Sequence, residues 1–353
     1  MPSRWPRFVG TRRVDRIVRP TWIVFVVRWV LVAALGWQAI AVAREPAEPL
    51  RFGVLPIGGA FESKDGWAPL LADLSRAIGR SVTVLSVTSY ESLDQAIDRG
   101  EVDLALLSSK MALDAVTERR MNVLALVKRH PGDPDHRAIL LARKDGPRNN
   151  LDDLLAHPER WRLARGDGRS VSGFILPQVQ LFLPHRIEME TRFKSEVVGT
   201  HQATALAVAN GDADVATNNT TDFDRFRRQF PEEAGRLQII WRSDPTPQAP
   251  IVVRRDLPPE LQKKLRAFLI GYGQEPGVRG SAQRETLRDL HASLGYVAAD
   301  NKALLPTARL EYQLARQSAL NARWVNEEAR QAKLDRIEKA YVQQQSVLRA
   351  DSR

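Results

Sequence analysis

Gly166-Asp167-Gly168-Arg169-Ser170-Val171-Ser172-Gly173 places two hydroxyls among three glycines, where a strand gives way to a helix. Free N–H groups at a helix start, the positive end of its dipole and serine hydroxyls can together cradle an oxyanion. Taken alone, a serine ahead of a helix is only a cap. A second cluster strengthens the case. The apolar helix-spaced run Ala203, Leu206, Ala207, Ala209 stops at Asn210-Gly211, and a short strand, Asp214 to Thr217, delivers Asn218, Asn219, Thr220 and Thr221 at its carboxyl end. Small ligands bind outside strand carboxyl ends in open α/β sheets, and a simple turn needs only one or two such polar residues. His201 heads the helix between the two clusters, and an imidazole N–H can donate to an anionic oxygen.

Catalysis and metal chemistry fit this chain poorly. The 168–173 stretch is one residue off a nucleophile elbow, which needs glycine two after the serine. No acidic residue is identifiable as an orienter for His201, and the six histidines lack metal-ligand spacing. No metal and no organic cofactor is expected. The absence of cysteine removes disulfides, thiolate sites and a lipidated N-terminal cysteine.

Strands and helices alternate in the segments that must position these residues, the pattern of parallel sheets wrapped by helices. Arg51–Leu55, Val82–Val87 and Val102–Leu107 read as strands, with helices over Trp67–Ile78 and Leu93–Ile97. Val123–Val127 and Ala138–Ala142 complete this half. A breaker cluster, Lys144-Asp145-Gly146-Pro147, opens a second half holding both polar clusters. Asp244-Pro245-Thr246-Pro247 marks the return, and Ile251–Arg254 rejoins the first half. The expected division is lobe 1 over 44–141 and 248–305, lobe 2 over 142–247, and a helical tail over 306–353. In that tail Leu334, Ile337 and Tyr341 form one narrow apolar stripe, which packs on a lobe or pairs two chains as a homodimer.

Residues 1–43 read as a targeting segment: a basic stretch, the apolar run Trp22 to Ala43, and Ala41-Val42-Ala43 as a small-x-small cleavage signal. The run is also long enough for an uncleaved anchor. This segment carries seven arginines and one aspartate, so the overall charge of +10 leaves +4 on the remainder. That balance is no nucleic-acid footprint, but it suits capture of a small anion in the periplasm.

The wording LAVANGDADVATNNT resembles the periplasmic phosphonate-binding proteins of ATP-driven uptake systems, and the resemblance runs from about Leu50 to the tail. It implies a type II periplasmic binding fold, two α/β lobes joined by a two-stranded hinge, presenting a small phosphorus oxyanion to an ABC permease. Ser170, Val171, Ser172 and Gly173 fall on the family's phosphonate-gripping Ser-Thr-Ser-Gly, with Val171 departing from it. His201 falls on the phosphonate-contacting histidine, Tyr90 on a cleft tyrosine, and His136 on a second cleft tyrosine. Asn219, Thr220 and Thr221 shape the remaining wall. Thr221 and Ala249 stand where aminoalkylphosphonate binders carry amine-holding carboxylates. An ammonium closed in a cleft without a counter-charge is costly, so the resemblance implies a ligand lacking an amine. A periplasmic sensor reporting to a membrane kinase would need the same binding chemistry and is the alternative role.

Overall fold

In the computed structural model, residues 48–55, 60–85, 87–128 and 136–350 are described. The expected targeting segment, residues 1–43, lies outside them.

Two mixed sheets organise the chain. The first has the order β11-β4-β10-β3-β1-β2, with β1 Leu50–Val54, β2 Val82–Leu85, β3 Leu104–Leu106, β4 Met121–Val127, β10 Pro250–Arg254 and β11 Tyr296–Ala298. The second has the order β7-β6-β8-β5-β9, with β5 Arg137–Arg143, β6 Arg162–Arg165, β7 Ser195–Val198, β8 Val215–Asn219 and β9 Leu237–Pro245. In each sheet three strands run parallel and the strand arriving from the other half runs antiparallel to them: β10 against β3, and β5 against β8. Parallel pairing follows from the helical crossovers, which return each strand in the same direction. Helices on both faces bury the inner strands, so β5 reads RAILLAR with five consecutive buried residues.

One expectation is corrected. Ala138–Ala142 does not close the first half, and the lobe boundary does not fall at 141/142. β5 pairs with β8 and β9, so the chain has already crossed to the second sheet before Arg137. Local pattern reveals a strand, but which sheet it joins is decided by distant partners. The breaker cluster after it is the turn leaving β5. The return crossing lies between β9 and β10, and Thr246 N–H donates to the His136 carbonyl at 2.7 Å, tying the two crossings together.

The C-terminal pattern resolves into two helices, Leu305–Asn321 and Glu327–Ala350, folded into a hairpin in which Tyr312 stacks on Tyr341 at 4.5 Å. It packs on both halves. Tyr341, Ala308 and Leu348 join the core around the helix Ser109–Thr117, whereas Leu310 and Leu314 pack on the core of the second sheet. Lys110 pairs with Asp114 at 2.7 Å and with Glu311 of the tail at 3.2 Å. Burial pushes both carboxylates up and the shared ammonium opposes it. Ile337 is buried within the chain, so much of the stripe that suggested a homodimer is already used.

Candidate functional site

Five of the parallel strands, β2, β3, β6, β7 and β8, feed helix starts that are capped in the same way. Ser89, Ser108, Ser170, Thr200 and Asn219 accept from the N–H groups of Ser92, Met111, Gly173, Ala203 and Asp222. A cap of this kind occupies the third N–H and leaves the first two aimed beyond the helix end. Five positive dipole ends therefore surround one space, a field that favours an anion.

That space is a cavity of about 160 Å³ lined by residues of both halves and the return crossing. It is well below the ~300–1,000 Å³ of drug-sized sites. Tyr90, His136, Ser170, Val171, Ser172, His201, Asn219 and Thr221 all line it. Gly173 and Thr220 stand behind the wall. A Cβ on Gly173 would meet Gly166 Cα at 2.9 Å and Ser170 Oγ at 2.8 Å, so this glycine serves the close approach of two backbone segments. The Thr220 hydroxyl accepts from Arg137 N–H at 3.1 Å.

The centre of the site is a network on the Ser172 hydroxyl. Ser172 Oγ lies 3.2 Å from His201 Nε2 and 3.3 Å from Asn219 Nδ2, and the same amide donates to Asp222 Oδ2 at 2.6 Å. Burial pushes the His201 imidazole down, against the raising pull of Asp222, and so favours the neutral ring. The Tyr90 phenol lies against Ser170 and is pushed above its ordinary range by burial. His136 Nδ1 is 2.9 Å from Thr221 Oγ1. Among the described residues, six buried side-chain atoms lack a hydrogen-bond partner, and three of them, Ser109 Oγ, His201 Nδ1 and Thr246 Oγ1, belong to residues lining this cavity. Unpaired buried polar groups are costly and rare, so their gathering here marks a place that awaits polar contacts.

The halves also touch directly. Ser108 Oγ donates to the Arg169 carbonyl at 2.8 Å, and the Arg169 guanidinium lies 3.4 Å from Asp94, so it bridges the cleft.

A sequence model of the ABC transporter, phosphonate, periplasmic substrate-binding protein family matches residues 52–304. The chain belongs to this family. It is 31% identical to the phosphonates-binding periplasmic protein of Escherichia coli over 84% of its length and 86% of that protein. A phosphate-import protein of Mycolicibacterium smegmatis is 24% identical, over 66% of this chain and 73% of the relative. Among solved structures, a binding protein component of an ABC phosphonate transporter from Pseudomonas aeruginosa superposes with a TM-score of 0.78 at 30% identity, covering 84% of this chain and 97% of the other. The family's type II fold, two lobes joined by two crossings, is what the two sheets form.

Several lining residues escaped the sequence reading: Ser108, Ser109, Asp222, Arg225, Thr246 and His291. Ser108-Ser109 follows a strand and opens a helix, the same signature as Ser170, and could have been found by it. Asp222 places a carboxylate in the lining beside Thr221 and Ala249, which carry none. Arg225, His291 and Thr246 carried no local signal.

Proposed function

We propose that this protein is the periplasmic component of an ABC uptake system that captures a small phosphorus oxyanion, a phosphonate or phosphite, and hands it to a membrane permease. The observation that carries this reading is the convergence of five capped helix starts and three unpartnered buried polar atoms on one cavity of about 160 Å³. Ser170, Val171 and Ser172 grip the oxyanion through hydroxyl and N–H groups, with His201, Tyr90 and Asn219 beside them. With β5 in the second sheet, the lobes divide between β4 and β5 and again between β9 and β10, the tail starts at Leu305, and residues 1–43 direct export.

Binding without catalysis fits the geometry. Ser172 approaches His201 as a nucleophile approaches a base, but Asp222 Oδ2 lies 3.9 Å from the same ring nitrogen, Nε2. An acid–base triad needs the carboxylate on the opposite nitrogen, and among the described residues no carboxylate pairs with Nδ1. Calorimetric titration with phosphite, methylphosphonate, phosphate and 2-aminoethylphosphonate tests the reading. Saturable one-to-one binding of the first two is expected, and no heat from any of the four would overturn it.

A further inference from the structure

Part of the cavity wall is positive, and among the described residues that charge has no ion-pair partner. Arg225 lines the cavity from the helix Thr220–Gln229, one turn after Thr221. Among the described residues its guanidinium lies within ion-pair distance of no carboxylate, and its one hydrogen bond runs from Nε to His291 Nε2 at 3.3 Å. Arg228 reaches the same ring nitrogen at 3.4 Å, so His291 accepts between two cations and neutralises neither. The nearby carboxylates are committed elsewhere. Asp222 takes the Asn219 amide, and Asp224 pairs with Arg227 at 3.0 Å.

A guanidinium carries five donors in a planar fork. Arg225 uses one, leaving both terminal amino groups, the pair that matches a carboxylate in two-point fashion. Thr246, whose buried hydroxyl is unpartnered, lines the same cavity. Thr221 and Ala249 add no negative charge to that of Asp222, whose Oδ2 is held by the Asn219 amide. We infer that the ligand is acidic at both ends, a short phosphonocarboxylate whose phosphonate sits at Ser170–Ser172 and whose carboxylate is read by Arg225. This inference rests on the phosphonate reading of the same site.

The test is calorimetric titration of phosphonoacetate and methylphosphonate into the wild-type protein, Arg225→Gln and Arg225→Lys, each variant first checked for a wild-type melting transition. In the wild type, phosphonoacetate is expected to bind at least about tenfold tighter than methylphosphonate. That ratio should fall below about threefold in Arg225→Gln, and Arg225→Lys should keep part of it, since lysine retains the charge without the fork. Equal or weaker binding of phosphonoacetate by the wild type, or an unchanged ratio in Arg225→Gln, would overturn the inference and leave the phosphonate site standing. Failure of both compounds to bind the wild type would remove the phosphonate reading itself, and this inference with it.

Discussion

Ser108 and Arg169, one from each lobe, meet across the mouth of the cleft through a 2.8 Å hydrogen bond in which the Ser108 hydroxyl donates to the Arg169 carbonyl. The same hydroxyl accepts from Met111 N–H and caps the helix Ser109–Thr117. One atom therefore stabilises a helix and fastens the closed form.

Ser108→Ala should consequently act twice. Loss of the cap lowers stability by about 1 kcal/mol, and loss of the bond between lobes weakens ligand binding by about fivefold, the equivalent of ~1 kcal/mol. Asn150→Ala removes the cap of the helix Leu151–Ala156, away from the cavity, and should lower stability alone. Calorimetric melting and titration of the two variants separate the effects; equal affinities would show that the contact between lobes contributes nothing to binding.

Changing Ser170 and Ser172 together to alanine should weaken phosphonate binding by about 2–4 kcal/mol, since hydrogen bonds to charged groups are worth about 1.5–3 each. Both hydroxyls are buried at the cavity wall. Full affinity in the double variant would place the oxyanion elsewhere.

Acid should destabilise the ligand-free protein. Burial holds His201 neutral, and burial, with Arg225 and Arg228, does the same for His291. In the unfolded chain both rings titrate near ~6.5. A histidine whose folded value is depressed contributes stability that is complete above the unfolded value and is lost as pH falls from there towards the folded one. Melting temperature should therefore drop as pH falls below about 6.5, and His201→Gln should flatten part of that slope. A bound oxyanion favours the imidazolium, so the liganded protein should lose less over the same window and take up a proton on binding. Titrations in buffers of different ionisation enthalpy would reveal that uptake.

Selectivity against amines is expected from Thr221 and Ala249. We predict that 2-aminoethylphosphonate binds at least tenfold more weakly than methylphosphonate, a gap of about 1.4 kcal/mol or more. Thr221→Glu combined with Ala249→Asp should narrow it. Asp222 lines the cavity, but its Oδ2 is already engaged by Asn219. Should the amine bind equally well, Asp222→Asn would reveal whether that carboxylate supplies the charge.

The sequence displays what is local. Caps, glycines and strand-to-helix turns are written in neighbouring residues, which is why Ser170, Ser172, His201 and Asn219 are legible as a group. Membership of a sheet is not local, and the strand Arg137–Arg143 shows it: its composition announces burial, whereas its partners lie about a hundred residues away in β9. Arg225, Thr246 and His291 meet at the cavity only because the crossings bring three distant segments together. Asp222 was hidden differently, since an acidic residue in a first helical turn has an ordinary electrostatic reason to be there.

The C-terminal hairpin is fastened to one lobe by the Lys110–Glu311 pair and to the other by Leu310, Leu314 and the bond from Asn321 to the Leu183 carbonyl. Hinged binders ordinarily spend much of their ligand-free time open, and each capture must draw from the minor closed population. A brace across both lobes limits how far they can part. Such a receptor behaves less like a trap waiting to spring than like a socket with a small throw: it gives up some range of ligand size and holds its contacts closer to their bound positions.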